Sequence, residues 1–412
     1  MTRDDEGSGD GERREQVEFG SAPGRHRLPS WVTIAGVALV AVIAAAVIVV
    51  VTTQHDDTTT ASPTPVTPTA TLPTVTIPTV AGPIAVPPAH AGSVAPPVAV
   101  RQLGHSLLGV MSGWELFGLG PNAVVRIQPA AGRITRTSFP GLESSGPVSF
   151  VAGSDRAIIR PYDLVPGYVV PDGRPAHRLP SAFRRAGPVI PGPDPGHVWV
   201  EAGSGSHLVM ELVGMDGSKT GISVAVGTSN SFSVSSDGQG YLMFIGTGGV
   251  YDARPNAIRR ITTGAVLAVG PTRWLTLECD NRDRCSNVVV DRATGARRAL
   301  AGPMNDLSAD TGVISPDGST DAVFRAYTSG RGTLQLLDLA TGAERSVPMT
   351  IAERPFGGGS AVWSPDSRWL FATTANGKLL VVDAHTLRVD DFGVPLPPIN
   401  QLAFRSAPGT AP

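Results

Sequence analysis

The sequence predicts an all-β fold: a seven-bladed β-propeller of four-stranded antiparallel blades, preceded by one transmembrane helix and a disordered Thr/Pro-rich stalk. Three observations carry this. One phrase recurs seven times between residues 124 and 388: an apolar β-type run, a polar residue and, four positions later, a glycine or a substitute where the backbone must turn. Successive copies lie roughly 39 to 47 residues apart, the spacing at which propeller blades recur. Composition agrees, since 48 Gly and 37 Pro against only 17% charged residues favour turns and buried strands over helices. The clearest copies are Val288 to Gly295 and Leu336 to Gly342, and weaker ones end at Gly132, Gly173, Gly217, Asn256 and Leu387.

The chain of 412 residues divides by composition into five segments: a disordered cytoplasmic tail (1–30), a membrane helix (31–51), an extracytoplasmic linker (52–100), the propeller (101–406) and a disordered end (407–412). From Trp31 to Val51 no charge interrupts a run of mostly Val, Ala, Ile and Leu, matching the ~20 residues a helix needs to cross the hydrocarbon core. A cleaved signal peptide is the alternative. It is disfavoured by the long, partly acidic leader and by the lack of a small-residue exit after Val51. Arg13, Arg14, Arg25 and Arg27 precede the span and no Lys or Arg follows until Arg101, which puts the amino terminus inside and the rest outside a cell membrane. Proline locks φ and lacks a donor, so the Thr/Pro-rich stretch reads as an extended, semi-rigid spacer whose composition also permits O-glycosylation. The tail is too short for a core; it sets topology or recruits a cytoplasmic partner.

Each repeat reads as short strands separated by turns. In the last, Ala361 to Trp363 is a strand, Ser364-Pro365-Asp366-Ser367 a turn and Trp369 to Ala372 a second strand. Asn376-Gly377 is then expected to make a two-residue hairpin, Leu379 to Val382 a third strand, and a fourth lies near Val389. Gly312 to Leu337 repeats the order around Ser315-Pro316-Asp317-Gly318, and a looser copy turns at Ser236-Asp237-Gly238. On the Ser-Pro-Asp-Gly turn before an apolar strand, the repeats resemble WD-repeat-like propellers of the TolB type. That resemblance implies docking of proteins or peptides on a propeller face. The sequence departs from true WD repeats in having no Trp-Asp dipeptide, and from TolB in carrying the stalk where a helical-sheet domain would stand.

Ring closure has two readings. Gln401 to Arg405 looks like a first strand with no blade behind it, and completes the blade of Trp114 to Thr137; alternatively Ser106 to Met111 supplies that blade's missing strand.

Cys279 and Cys285 are the only cysteines, and outside the membrane they are expected to form a disulfide that stiffens a hairpin tip. A metal site is disfavoured, with two thiols and no nearby histidine. The eight histidines are scattered, no H-E-x-x-H pattern occurs, and the Ser/Gly stretches 203–207 and 357–360 fit neither G-x-S-x-G nor a P-loop. Asp317 and Asp366 are accounted for by their turns, and Trp199, Trp274, Trp363 and Trp369 by packing between blades. No catalytic, cofactor or metal residue is therefore assigned. A net charge of −2 gives no field for nucleic acid, and the excess of Arg over two lysines, Lys219 and Lys378, reads as genomic base composition. The expected function is non-catalytic binding of a protein, peptide or envelope polymer outside the cell. A propeller-based hydrolase or lyase acting on glycans at the channel mouth is the alternative.

Overall fold

A computed structural model describes residues 98–405, apart from 143–146, 164, 184, 186, 204–207, 228–233, 283, 302–310, 327–330, 353–360 and 375. The tail, the membrane segment 31–51, the stalk up to residue 97 and the end from 406 lie outside the described residues, as do most of the two Ser/Gly stretches. No helix among the described residues is long and apolar enough to cross a membrane.

Among the described residues the fold is all-β, with a single 3-10 turn at Ser181–Phe183. Antiparallel meanders follow one another along the chain in a propeller-like ring. Meander A holds β1 (Val98–Gln102), β2 (Glu115–Leu119), β3 (Ala123–Gln128) and β4 (Arg133–Ser138). Meander B holds β5 (Val148–Ala152), β6 (Arg156–Pro161), β7 (Tyr168–Pro171) and β8 (His177–Arg178), and C holds β9 (Val189–Pro191), β10 (His197–Glu201), β11 (Val209–Gly214) and β12 (Lys219–Ala225). D holds β13 (Val234–Ser236), β14 (Leu242–Gly246), β15 (Gly249–Arg254) and β16 (Ala257–Thr262), and E holds β17 (Ala265–Val269), β18 (Arg273–Cys279), β19 (Cys285–Asp291) and β20 (Arg297–Ala299). F holds β21 (Thr311–Ile314), β22 (Thr320–Ala326), β23 (Arg331–Asp338) and β24 (Glu344–Ala352), and G holds β25 (Ala361–Trp363), β26 (Trp369–Thr373), β27 (Leu379–Asp383) and β28 (Val389–Asp390). The final strand, β29 (Gln401–Arg405), returns to A and pairs antiparallel with β2, Glu115 opposite Arg405.

That pairing decides between the two closure readings: the carboxy-terminal strand supplies A's innermost strand, and Ser106 to Met111 is a loop. One feature departs from expectation. β1 pairs with the outer edge of β4 from Val98 onward, so a strand occupies the last three residues assigned to the linker and gives A a fifth strand. Its residues are mostly exposed, so no apolar pattern marked it.

The core lies between meanders rather than within any one of them. Leu336 and Ala322 of F pack with Leu370 and Val382 of G, and Leu275 and Val289 of E with Val323 and Leu337 of F. Both faces of each central strand are covered, which is why the third strands read as unbroken apolar runs. Indole N–H groups tie neighbours together: Trp199 Nε1 donates to Gly240 O at 2.8 Å, Trp274 Nε1 to Asp237 O at 3.3 Å and Trp363 Nε1 to Val313 O at 2.8 Å. Trp369 is likewise buried, packed with Trp114 and Phe371.

In a meander, the first and third turns fall at one edge and the second turn and the link to the next sheet at the other. At the first edge the repeated phrase makes the third turn. Its polar residue accepts backbone N–H bonds, as when Asp338 Oδ1 takes those of Ala340 and Thr341, both at 2.8 Å, and its fourth residue donates back to the carbonyl. Six of the seven turn residues take positive φ, from 57° at Gly132 to 87° at Gly217, with Leu387 at 60°; Asn256 does not. The first turns repeat as well. Ser315 and Ser364 each accept the backbone N–H of the residue five positions on, at 3.0 and 2.9 Å, and Ser367 stands at φ 59° where Gly318 stands at 73°. Asp317 and Asp366 accept the Ser315 and Ser364 hydroxyls within these turns, as the turn chemistry requires.

The Asn376-Gly377 turn differs from the expected two-residue hairpin. Only Gly377 takes positive φ, 78°, and the closing bonds run from Thr374 N to Lys378 O and back from Lys378 N to Thr374 Oγ1. A longer loop with one left-handed glycine satisfies the same strand twist with one strained position rather than two.

Candidate functional site

Charged side chains gather at two places on the short-turn edge, and at both they pair with one another. At the closure of A, Arg405 on β29 is 5% exposed and reaches Glu115 at 2.9 Å and Asp172 at 2.6 Å. Arg126 on β3 doubles the arrangement, donating to Glu115 at 2.6 and 2.8 Å and meeting Asp172 at 3.0 Å. Burial pulls the Glu115 carboxyl upward, but the two guanidiniums outweigh it and hold the group below the usual carboxylate range. Arg405 also stacks 4.5 Å from the Phe117 ring centroid.

Between D and E the second group surrounds Trp274. Arg292 and Asp237 are 2% and 0% exposed at their side chains and form a direct ion pair, with Arg292 lying 4.4 Å over the indole and Arg259 at 5.4 Å. Asp252 lies nearby, 3.5 Å from Arg254 and 3.8 Å from Arg259; burial first, then the Asp237 charge, push its carboxyl up. The Arg292–Asp237 pair joins D to E and is buried, so it braces the seam, while Arg254 and Arg259 stand at its exposed rim.

A further series of arginines was hidden in the composition. Three residues after the turn residues Asn256, Gly295 and Gly342 stand Arg259, Arg298 and Arg345. Each reaches into the next meander's repeated phrase: Arg259 to Arg292 O at 3.3 Å, Arg298 to the Leu339 and Ala340 carbonyls, and Arg345 to Ala384 O at 3.0 Å. The carbonyls of Arg292, Leu339 and Ala384 each follow the phrase's aspartate. Recurrence of Arg at this offset was the signal available in the sequence.

The opposite edge is built differently. The predicted disulfide joins Cys279 and Cys285, directly opposite across β18 and β19. Their hairpin overhangs its sheet, for β17 pairs no further than Leu277 and β20 no further than Val288. Asp280 organises the tip, accepting Arg282 N at 2.8 Å, Arg284 N at 3.1 Å and Arg284 Nε at 2.8 Å.

On the same edge, a groove of about 500 Å³ lies between the β26–β27 hairpin and the link from β28 to β29. Ile399 N donates to Gly377 O at 2.8 Å and Asn400 N to Leu119 O at 2.6 Å, pinning the link across two hairpins. A Cβ on Gly377 would stand 2.8 Å from Pro398 Cβ, so glycine there lets the link lie down. Phe392, Val394, Pro395 and Leu396 give the groove its apolar wall, and Phe392 stacks on Phe371 with centroids 6.0 Å apart. Lys378 and Asp391 face each other at 3.3 Å on its rim, both more than half exposed. The Gly393 backbone N–H and Lys378 hold the Asp391 carboxyl below its ordinary value.

The innermost strands β5, β9, β13, β17, β21, β25 and β29 carry one ionisable residue between them, Arg405, and its side chain turns into the closure cluster. No group of three His, Cys, Asp or Glu among the described residues is placed to hold a metal. His197 pairs with Asp194 at 2.8 Å on the surface.

No family model and no curated protein matches the chain. Among solved structures it is similar to a functionally unknown protein from Desulfotomaculum acetoxidans (11% identity, TM-score 0.45, covering 71% of this chain and 99% of that one). It is similar also to TolB from Acinetobacter baumannii (12% identity, TM-score 0.39, 76% and 83%) and to an oligogalacturonate lyase in complex with manganese (13% identity, TM-score 0.44, 69% and 90%). At these identities and scores the likenesses carry no argument about activity.

Proposed function

We propose that the chain is a membrane-anchored, extracytoplasmic propeller of seven blades that binds a protein, a peptide or an envelope polymer without chemistry. In this reading the eight-stranded sheet, in order β20-β19-β18-β17-β21-β22-β23-β24, counts as two blades, and the five-stranded one as a blade with an added outer strand. Anchor and orientation rest on Trp31 to Val51 and on the arginines that precede it. The observation that carries the binding reading is the groove beside Lys378, where an apolar wall meets a charged rim on the edge built of long connections. An extended chain suits it, with side chains against Pro395 and Leu396 and polar groups answering Lys378 and Asp391. The near-absence of ionisable residues on the inner strands supports binding over hydrolysis at the channel mouth, since a glycosidase needs two carboxyl groups to converge there.

The test places a photo-crosslinking residue in the full-length protein in cells, at Lys378 on the long-connection edge or at Ala340 on the short-turn edge. Adducts are expected from position 378 and not from 340. Equal yields, or adducts from 340 alone, refute the binding edge. Protease added to intact cells is expected to remove the propeller; protection of the propeller would overturn its display outside.

A further inference from the structure

Asp321, the second residue of β22, is 1% exposed, and its Oδ1 has no hydrogen-bond partner among the described residues. It sits at an unusual seam. E and F are the only neighbouring meanders among the described residues whose innermost strands pair directly, β17 running parallel to β21 with Ala268 opposite Gly312 and Val269 opposite Val313. The carboxylate of Asp321 lies where a side chain of Gly312 would be: a Cβ there would stand 2.4 Å from Oδ1 and 2.7 Å from Oδ2. Register places Asp321 opposite Ile314 and Leu337, on the face of F that packs with Leu267, Ala268, Leu275 and Val289 of E. A carboxyl group therefore lies in an apolar layer beneath the strand pairing that joins E to F.

Nothing charged answers it. On the strands that share this layer the charged side chains described are Arg273 and Glu278 of β18, Asp291 of β19, Arg325 of β22, Asp338 of β23, and Glu344 and Arg345 of β24. Glu278 pairs with Arg297, Asp338 accepts Thr341 N at 2.8 Å, and Arg345 donates to Ala384 O at 3.0 Å. Arg273 donates to Gly318 O at 2.8 Å, Asp291 accepts from Thr294 N at 2.9 Å, and Arg325 meets Glu344 at 2.7 Å. β17 and β21 contribute only apolar residues and glycine near it, and β23 contributes Leu337 and Gln335. The bonds these groups make run to partners other than Asp321.

We propose that the E–F seam is a pH-dependent joint, closed while Asp321 carries its proton and loosened when the carboxyl ionises, so that β21 parts from β17. An isolated carboxylate in an apolar layer either stays neutral or draws water in, and here water enters by separating the two strands. Burial pushes this carboxyl up to about 7, within reach of environmental pH. The sign follows. The folded seam holds a proton that the opened seam releases above its ordinary value of 3.8, so stability is fullest below that value and falls as pH rises toward about 7. The proposal stands apart from the binding reading, because it concerns only the packing of two meanders.

Hydrogen exchange of the full chain, corrected for intrinsic rates, tests it between pH 5 and 8. In the wild type the opening constant of β21 and β22 should rise about tenfold per pH unit from 5 toward 7 and then level off. It should stay flat in β26 and β27 of G. Asp321→Asn, which holds the neutral state, should flatten the first profile. A flat wild-type profile in β21 and β22, or the same slope in Asp321→Asn, overturns the joint. Should the variant not fold, the wild-type contrast between β22 and β26 decides alone.

Discussion

The two edges of the ring carry the same number of connections and spend them differently. At the short-turn edge the phrases of E and F repeat down to single atoms: an aspartate caps its own turn, a left-handed residue reverses the chain, and an arginine three residues on grips the next meander. At the long-connection edge no such phrase repeats among the described residues. One hairpin overhangs and is clipped by a disulfide, while another is crossed by a link that walls a groove. Repetition marks what holds the ring together, because every seam poses the same packing problem. Irregularity marks where one meander does something its neighbours do not.

That contrast can be broken most severely at closure. Arg405→Ala leaves Glu115 and Asp172 to Arg126 alone and unpins β29, and should cost about 3 kcal/mol in denaturant unfolding of the full chain. The loss should also depend on pH. Glu115 is held below its ordinary value in the fold, so its contribution is present above about 4.5 and is lost as pH falls through the folded value; the wild type should lose more stability in acid than Arg405→Ala does.

Next in size is a pair of glycines in the same turn of successive meanders. Gly342 and Gly295 stand at φ 74° and 72°, but a Cβ on Gly342 would meet Ala301 O at 1.8 Å, while one on Gly295 meets nothing within 4 Å. Gly295→Ala should cost about 1 kcal/mol from backbone strain alone, and Gly342→Ala distinctly more, as read from thermal midpoints. Equal costs would mean the seam beside Ala301 yields freely.

At the other edge, replacing both Cys279 and Cys285 by Ser should lower global stability by about 2 kcal/mol or less, because the closed loop is short and overhangs the sheet. Its main effect should be faster proteolysis of the tip. Smallest is Trp363→Phe, which keeps most of the packing and gives up one N–H bond to Val313 O, about 1 kcal/mol at most.

What the sequence showed and what it hid follow the same division. Strand runs such as Val288 to Val290 and turns such as Ser315 to Gly318 are local patterns, so the meanders, the phrase and the fate of Gln401 to Arg405 were legible. The buried pair Arg292–Asp237 joins residues 55 positions apart, and only folding brings them together. Arg259, Arg298 and Arg345 looked like base composition until their common offset from the turn acquired a partner in the next meander. The groove was invisible for another reason: its wall, Phe392 to Pro397, is a link with no periodicity, and its shape depends on glycine at 377 in a different hairpin. β1 escaped because an exposed strand on an outer edge needs no apolar alternation.

The division between a bracing edge and a binding edge is tested most directly by adduct yield in the full-length protein with the photo-crosslinking residue at position 378. Pro395→Asp on the groove wall should abolish the adduct while leaving the thermal midpoint unchanged. Arg298→Ala on the opposite edge should lower the midpoint and leave the adduct intact below it. If Arg298→Ala removes the adduct as completely as Pro395→Asp does, at a temperature where both variants are folded, the two edges do not divide the work and the account fails.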